Sequence, residues 1–421
     1  MGGIVIKGCE IFRQGAFVSS DVEVLDGVIS RIRPGIVPGE GVSVYNFNNC
    51  LLIPGLVDVH VHLREPGFSY KETIRSGSEA AARSGYSAVC AMPNLDPVPE
   101  DAATLAQELD IIARDAVIDV LPYGAITRGQ KGGALADMSA MAARVCGFSD
   151  DGHGVQSADM MREAMLEAKR LGKPIAAHCE DNSLLRGGYI HEGGYARAHG
   201  HRGICSESEW GPIARDIALL RETGCAYHVC HISTKESAEL IRRAKAEGLD
   251  ISCETGPHYL LLSDADLEED GRFKMNPPLR SEADRRALID ALLDGTIDMI
   301  ATDHAPHSAE EKSRGLEGSA FGITGLETAF PVLWTGLVET GILSRERLVE
   351  LMSLAPARRF GIESGIEVGR SATFAVFDTE TTYTIEPERF ASHGRATPFA
   401  GREVRGRCVL NILRGLEVWR A

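Results

Sequence analysis

Short apolar runs alternate with longer amphipathic stretches from residue 56 onward, and this alternation constrains the fold more than any other feature of the chain. Each run has the length of a buried strand and ends at Gly, Pro, Asn, Asp or His. The runs lie at 56–63, 87–91, 118–125, 145–148, 174–178, 226–232, 250–255 and 299–302. Strands that are each followed by a helix, eight times in order, predict a (β/α)8 barrel of the TIM type.

The amphipathic stretches between the runs carry the signals of helix ends. Several of them begin at Ser, Thr or Asp, which cap helix N-termini, and stop at Gly, which ends helices. The clearest examples span residues 71–85, 100–115, 157–172, 233–248 and 281–295. These stretches are predicted to be the helices that surround the barrel.

The two ends of the chain differ from the middle. Residues 1–53 and 365–421 contain short β-like runs with turn signals and little helix. Neither end has enough strands for a stable sheet of its own, so they are predicted to pair into one small β-domain beside a barrel domain at 54–364. The Gly- and His-rich stretch 186–203 has no periodicity and is predicted to be a loop over the site.

The charge and composition of the chain limit the kinds of partner that it can bind. The chain of 421 residues has 44 basic and 60 acidic residues, a formal charge of -16, which disfavours nucleic acids and anionic membranes as partners. The N-terminal residues do not resemble a signal peptide and no segment resembles a membrane span, so a cytoplasmic protein is expected. Ten scattered cysteines without a CxxC pair suggest reduced thiols.

The first run carries two histidines on one face. Successive side chains of a strand point to opposite sides, so Asp58, His60 and His62 share the face opposite Val57 and Val59. Imidazoles at i and i+2 are placed to bind one ion, because imidazole is the commonest metal ligand in proteins. For an isolated HxH, two ordinary surface or core histidines would be the better interpretation. Whether these two bind a metal therefore depends on the residues at the other strand ends.

Further candidates lie where the other runs end. In a barrel of this type the catalytic groups come from the C-terminal ends of different strands. Those ends give His60, His62, Asp150, Asp151, His178, His231 and Asp303. Four histidines, Asp303 and one of the adjacent acids Asp150 and Asp151 at one barrel mouth would supply two adjacent divalent metals with nitrogen and oxygen ligands, which zinc accepts. The set favours a metal centre over unrelated structural histidines.

Several motifs, in order, resemble one family. The segments HVHLREPG, AMPN, FSDDG, AAH, HVCHISTKES, MNPPLR, TDHAPH and SAFGITGLETAF are similar to those of the type I bacterial branch of the dihydroorotases, in the amidohydrolase superfamily. The resemblance covers essentially the entire chain. It implies a barrel with a composite β-sandwich built from both termini.

The resemblance also implies roles for individual residues. Two zinc ions per subunit would be held by His60 and His62, by His178 and His231, and by a bridging aspartate that matches Asp151, although spacing alone leaves Asp150 open. Relatives that bridge with a carboxylated lysine are a poor match, since no lysine lies between Lys131 and Lys169.

Asp303 matches the family's general base, and it is also expected among the metal ligands. The family's substrate contacts fall on Arg64, Asn94, Asn276, His307, Phe321 and Gly322. Lys312 and Arg314 lie between the TDHAPH and SAFGITGLETAF motifs, and they are interpreted as residues of a mobile surface loop without a chemical role.

The implied activity is the reversible conversion of N-carbamoyl-L-aspartate to L-dihydroorotate in pyrimidine synthesis. Hydantoinases, dihydropyrimidinases and allantoinases are the nearest alternatives, but their substrates lack the ring carboxylate that Arg64, if it points into the pocket, would need as a partner. A non-catalytic subunit of aspartate carbamoyltransferase is the alternative from another class, and it conflicts with a full set of metal ligands. A homodimer, and association with aspartate carbamoyltransferase, are expected by analogy alone.

Overall fold

The computed structural model describes residues 3–421. Residues 1 and 2, which the predicted β-domain includes, lie outside the described part. The strands in chain order are β1 (Ile4–Arg13), β2 (Ala16–Leu25), β3 (Val28–Arg33), β4 (Ser43–Asn46), β5 (Leu51–Pro54), β6 (Leu56–Val61), β7 (Tyr86–Ala91), β8 (Asp119–Pro122), β9 (Ile175–Ala177), β10 (Ile190–His191), β11 (Gly203–Ile204), β12 (Tyr227–Val229), β13 (Ile251–Thr255), β14 (Met299–Ile300), β15 (Phe374–Asp378), β16 (Tyr383–Thr384), β17 (Glu403–Val404), β18 (Arg407–Leu413) and β19 (Leu416–Arg420).

The helices lie mainly between the strands of the barrel. They are α1 (Ile74–Arg83), α2 (Ala102–Asp115), α3 (Met138–Met141), α4 (Ala158–Leu171), α5 (Gly194–His199), α6 (Glu207–Thr223), α7 (Lys235–Ala246), α8 (Pro257–Leu261), α9 (Glu282–Leu293), α10 (Ala309–Lys312), α11 (Gly315–Gly318), α12 (Ala329–Leu333), α13 (Arg345–Val349) and α14 (Ala355–Phe360). Two π-helical segments, Trp334–Val338 and Glu350–Leu354, follow α12 and α13. Among residues 3–421, no helix is both long and apolar enough to cross a membrane.

The barrel is a closed ring of parallel strands. β6, β7 and β8 form one part of it, and β9, β12, β13 and β14 form the other. Phe148 joins the two parts through parallel bridges to Gly124 and Ile175, and the ring closes where Val61 bridges to His304. This is the predicted (β/α)8 barrel, with its strands in the predicted order.

The barrel helices begin where local sequence provides a cap. Thr73, Asp101, Ser157, Thr234 and Ser281 each accept a hydrogen bond from a backbone N–H in the first turn of the helix that follows. α4 ends at Gly172, whose φ of +68° is the left-handed conformation that glycine adopts at low cost. These signals explain why the helix limits lie close to the predicted ones.

The predicted strand at 145–148 is wrong. Phe148 bridges to Gly124 and Ile175, but the other backbone hydrogen bonds of the segment, such as that from Cys146 to Pro122, go to one side only. Directly after this segment, the carboxylate of Asp150 accepts hydrogen bonds from the backbone N–H groups of Ile126 and Thr127. The fourth strand position of the barrel is therefore a single bridging residue.

The stretch 186–203 is also more ordered than predicted. It contains α5 between the short strands β10 and β11, which pair in parallel. Tyr195 donates a hydrogen bond to Glu269, and the backbone N–H of Gly194 donates to Asp264. The stretch is thus attached to the loop that follows β13 and α8.

Both ends of the chain contribute to a β-sandwich. Its sheet has the order β19-β18-β15-β5-β1-β2-β3, with β4 added beside β1. β15 pairs antiparallel with β5, which joins the C-terminal strands to the N-terminal ones. Buried side chains from both ends, among them Ile11, Val22, Phe374 and Ile412, form its core. The predicted domain limits, 1–53 with 365–421 and 54–364, stay a prediction.

Candidate metal centre

The candidate ligands meet at one rim of the barrel. His60 lies in β6, His62 follows β6, Asp151 follows the bridging Phe148, His178 follows β9, His231 follows β12 and Asp303 follows β14. All six side chains are buried. Because parallel strands place their carboxyl ends on one side, residues far apart in the chain arrive at the same place.

Asp151 lies at the centre of the four histidines. Its Oδ1 is 3.3 Å from Nε2 of His60 and 3.4 Å from Nε2 of His231. Nδ1 of His178 is 3.6 Å from the same oxygen, and Nε2 of His62 is 3.3 Å from Oδ2. Asp150 points elsewhere, toward the backbone of Ile126 and Thr127. Of the two acids that the sequence left open, Asp151 faces the histidines.

Asp303 lies beside the first histidine pair. Its Oδ1 is 3.1 Å from Nε2 of His62 and 3.5 Å from Nε2 of His60. Asp303 has a φ of +47°, His231 a φ of +33° and Arg64 a φ of +62°. Left-handed backbone is uncommon and costly for residues other than glycine, and it concentrates at functional sites. The barrel therefore holds these side chains at the expense of local backbone strain.

The donor set fits a divalent metal. Three of its buried polar atoms, Nε2 of His60, Oδ1 of Asp151 and Nε2 of His178, have no hydrogen-bond partner among the described residues. Buried polar atoms are almost always paired, so such atoms in one place indicate a ligand. Imidazole nitrogen with carboxylate oxygen is a donor set that zinc accepts.

The electrostatics of the site also favour a cation. Although burial opposes it, Asp151 raises the pKa of His60 well above its ordinary value. Burial likewise opposes protonation of His178, yet Asp151 and Glu180 raise the pKa of His178 to about 10. The carboxylates thus create a negative potential among the imidazoles, and a bound metal ion would compensate it.

Glu254, which orients His60, is a functional residue that the sequence patterns did not reveal. Oε1 of Glu254 lies 2.8 Å from Nδ1 of His60, and Oε2 lies 3.0 Å from Nε2 of His228. Despite burial, these two histidines lower the pKa of Glu254 to about 2. A carboxylate on Nδ1 leaves Nε2 of His60 free to bind metal, the usual arrangement around metal-binding histidines. The signal in the sequence that could have revealed Glu254 is an acidic residue within the apolar run that forms β13.

Two predicted substrate contacts lie against the histidines. Oδ1 of Asn94 is 2.7 Å from Nδ1 of His62. Nδ2 of Asn276 donates to Oε1 of Glu180 at 2.9 Å, and Oε2 of Glu180 lies 3.6 Å from Nε2 of His178. Glu180 was also missed, although it stands two residues after a strand-end histidine. The substrate contacts assigned to both asparagines stay predictions.

The other predicted substrate contacts form a second group on the rim. Nε of Arg64 donates to the carbonyl of Pro306 at 3.2 Å, and Nη2 lies 3.3 Å from Nε2 of His307. Nε2 of His307 is also 2.7 Å from the carbonyl of Phe321. Phe321 is 38% exposed, and Gly322 follows it with a φ of +127°.

The tautomer of His307 leaves Arg64 with unused donors. Nζ of Lys71 lies 3.3 Å from Nδ1 of His307, so Nδ1 accepts and Nε2–H donates to Phe321. Nε2 then cannot accept from Arg64. Arg64 is half-buried, and this burial lowers the pKa of its guanidinium. A guanidinium with free N–H groups at the rim of the site can bind a carboxylate through two parallel hydrogen bonds.

Solved structures with the same fold are hydantoinases. An L-hydantoinase (dihydropyrimidinase) from Arthrobacter aurescens matches with a TM-score of 0.90 and 27% identity, over 100% of this chain and 96% of that one. A D-hydantoinase (dihydropyrimidinase) from Thermus sp. matches with a TM-score of 0.86 and 25% identity, over 99% of this chain and 95% of that one. The barrel and β-sandwich are thus confirmed as one known architecture.

Curated relatives are more similar in sequence. Residues 49–237 match the family model described as dihydro-orotase-like. The dihydroorotases of Fusobacterium nucleatum and Bacillus caldolyticus are 48% and 47% identical, over 98% and 100% of this chain and 97% and 99% of theirs. Fold and site together define a barrel hydrolase of the amidohydrolase type. Within that class, the chain belongs to the dihydroorotase family, whose members are enzymes that hydrolyse a cyclic amide C–N bond.

Proposed function

We propose that the protein is a zinc-dependent dihydroorotase that interconverts N-carbamoyl-L-aspartate and L-dihydroorotate in pyrimidine synthesis. The observation that carries this proposal is the meeting of four histidines at Asp151, beside a guanidinium with unused donors. The names of the curated relatives support the choice of substrate.

His60 and His62 would hold one zinc ion, and His178 and His231 the other, with Asp151 between them. The distances from Asp151 to the four imidazoles, 3.3 to 3.6 Å, support a shared position for its carboxylate. A bound divalent metal polarises the substrate carbonyl and makes water acidic enough to attack it at neutral pH. Asn94 and Glu254 would keep His62 and His60 in the required orientation.

Asp303 would move the proton. In hydrolysis, the water oxygen forms a bond to the ring carbonyl carbon and the ring C–N bond breaks. Asp303 accepts the proton of the attacking water and returns it to the leaving nitrogen. Burial raises the pKa of Asp303, but His62 and His60 outweigh it and lower that pKa below the ordinary value, so the carboxylate is ionised and able to accept.

Arg64 would bind the carboxylate of the substrate. Its Nε is engaged by the carbonyl of Pro306, which fixes the plane of the guanidinium and leaves both Nη groups for a ligand. Hydantoin and allantoin carry no carboxylate, so with them the half-buried cation would stay unpaired, which is costly. Asn276, His307 and the Phe321–Gly322 backbone would complete the contacts.

A comparison of substrates tests the proposal. Zinc-loaded protein is assayed with dihydroorotate, hydantoin and allantoin, and the metal content is measured on the same sample. We expect kcat/KM for dihydroorotate to exceed that for the other two by about 100-fold or more, because a site built for a polar group rejects analogues that lack it. Equal or faster turnover of hydantoin would instead indicate the activity named for the structural relatives.

Replacement of Arg64 separates substrate binding from metal binding. In Arg64→Met we expect KM for dihydroorotate to rise roughly 10- to 150-fold, which corresponds to about 1.5–3 kcal/mol for a hydrogen bond to a charged group. The zinc-to-protein ratio should not change. Arg75→Met, which removes an exposed arginine paired with Glu79, serves as the control. An unchanged KM in Arg64→Met would show that the guanidinium does not bind the substrate.

A homodimer, docking onto aspartate carbamoyltransferase and a cytoplasmic location stay predictions. Each follows from the resemblance or from sequence features alone.

A further inference from the structure

Lys312 has a buried ammonium group, contrary to its interpretation as a surface residue of a mobile loop. Its side chain is 7% exposed. Nζ donates to the backbone carbonyls of Lys274 at 3.0 Å, Ala320 at 2.8 Å and Gly322 at 2.7 Å. A lysine ammonium has three N–H donors and no acceptor, so these carbonyls match its capacity. No carboxylate lies within ion-pairing distance of Nζ among the described residues. The ammonium is therefore held by backbone carbonyls and not by an ion pair.

The three carbonyls belong to segments that carry proposed substrate contacts. Lys274 stands two residues before Asn276, and Ala320 and Gly322 flank Phe321. The N–H of Gly322 donates to the same Lys274 carbonyl at 3.1 Å. The ammonium therefore joins the loop after β13 and α8 to the loop after β14, at the point where each reaches the rim.

The surroundings reinforce this junction. The Nζ of Lys274 donates to the carbonyl of Glu317 at 2.8 Å and lies 4.5 Å from the centre of the Phe321 ring. The carbonyl of Phe321 accepts from His307. A shift of the 320–322 backbone would thus move Phe321, Gly322 and the partner of His307 together. Among these contacts, Lys312 alone bonds to both sides of Phe321 and to the segment of Asn276.

We propose that Lys312 is a positioning residue for substrate binding: it sets the distance between Asn276 and the Phe321–Gly322 backbone across the mouth of the site. The inference rests on the proposed function for the identity of the substrate. Lys312 does not touch the candidate metal ligands, so its effect is on substrate affinity and not on metal content.

The test uses Lys312→Met, whose side chain is unbranched and one atom shorter than that of lysine, and which removes all three donors. Zinc-loaded holoenzyme is assayed with dihydroorotate or, if the wild type does not turn that over, with whichever cyclic amide of the substrate comparison it does hydrolyse. We expect KM to rise about tenfold, because binding must then order the two loops that Lys312 holds together, while kcat and the zinc-to-protein ratio should not change. Lys312→Gln, whose amide keeps two donors, should give an intermediate KM.

The control is Arg314→Met, two residues further along the same loop. Arg314 is exposed and pairs only with Glu310, so its removal should leave KM and kcat within about twofold of the wild type. Hydrogen exchange of peptides covering 272–278 and 318–324 is measured on all variants, and faster exchange in Lys312→Met alone is expected.

Two results would overturn the proposal. One is a wild-type KM in Lys312→Met and Lys312→Gln. The other is a loss confined to thermal stability, kcat or zinc content, which would assign Lys312 a purely structural role. Failure of the proposed function is recognised separately, because it would appear as the absence of dihydroorotate turnover in the wild type.

Discussion

At the scale of single residues, the position of one carboxylate decides what the histidines can do. Four imidazoles from three parts of the chain converge on Asp151, and three polar atoms of the group have no partner among the described residues. Without a cation, the acids and protonated histidines must compensate each other, as the raised pKa of His178 and the lowered pKa of Asp151 show. Metal binding and protonation are therefore expected to compete at this site.

Removal of Asp151 should weaken metal binding. In Asp151→Ala the zinc-to-protein ratio after dialysis is expected to fall to less than about half that of the wild type, because a bridging ligand contributes to both metal positions. Metal analysis of dialysed protein measures this. The matched control is Asp150→Ala, which should lose folding stability, since it releases the N–H groups of Ile126 and Thr127, but keep its zinc. A normal ratio in Asp151→Ala would exclude the bridge.

Asp303 is expected to affect the rate and not the metal. Asp303→Asn has nearly the same shape, but its amide cannot accept the proton of water, so kcat should fall by about 10²- to 10⁴-fold. Steady-state kinetics and metal analysis of the same preparation measure both properties. Wild-type turnover in this variant would remove the role of base, and loss of zinc would instead make Asp303 chiefly a ligand.

At the scale of elements, a strand of the β-sandwich bonds directly to the barrel. Nδ2 of Asn411, in β18, donates to the carbonyls of Ala82 at the end of α1 and Tyr86 at the start of β7, at 2.8 and 2.9 Å. The side chain is completely buried. Its amide thus satisfies two carbonyls at the junction of helix and strand, where the regular backbone pattern changes.

Asn411→Ala should destabilise the fold by about 1–3 kcal/mol, because it removes two buried hydrogen bonds to backbone carbonyls. Urea unfolding followed by circular dichroism gives the free energy of unfolding. Asn46→Ala, an exposed asparagine in β4 of the same sheet, should change it by less than about 0.5 kcal/mol. Equal effects of the two substitutions would mean that water replaces the amide of Asn411.

At the scale of the whole molecule, one acid of the barrel domain binds the backbone of the C-terminal part of the chain. Glu327, just before α12, accepts hydrogen bonds from the backbone N–H groups of Ala391 and Ser392 at 3.0 and 3.2 Å. It lines a cavity of about 260 Å³ between α1 and the β-sandwich. Burial raises the pKa of Glu327 to about 7.

This carboxyl should make stability depend on pH. Between its ordinary pKa of 4.5 and about 7, the unfolded chain loses the proton while the folded chain keeps it. The contribution to stability is therefore complete below pH 4.5 and is lost as the pH rises through 7. The loss is on the order of 3–4 kcal/mol, since each pKa unit is worth about 1.4 kcal/mol.

Glu327→Gln removes the titration and keeps an oxygen for the backbone donors. The free energy of unfolding of the wild type, relative to this variant, is expected to decrease between pH 5 and 8 in urea titrations. Glu386→Gln, an exposed acid lining the same cavity, is the control and should show no such trend. A constant difference between wild type and Glu327→Gln across this range would contradict the prediction.

Local patterns were enough for the architecture and for the candidate ligands. Strand and helix periods and helix caps act within a few residues, so the order of the barrel strands and the starts of helices such as α1 and α9 could be read from the sequence. His60, His62, His178, His231 and Asp303 were recognised because strand ends of a barrel share one rim. Arg64 and the other substrate contacts came from the resemblance of the motifs.

Only the tertiary structure decided which atoms face each other. Adjacent acids at 150 and 151 are equivalent in a sequence, but Asp150 is taken up by the backbone of a neighbouring segment and Asp151 is not. Glu254 reaches His60 across 194 residues, and Lys312 enters the interior because three carbonyls from separate segments surround it. Hydrogen bonds of this kind depend on distances near 3 Å between parts of the chain that no local period relates, so they appear only when the barrel closes.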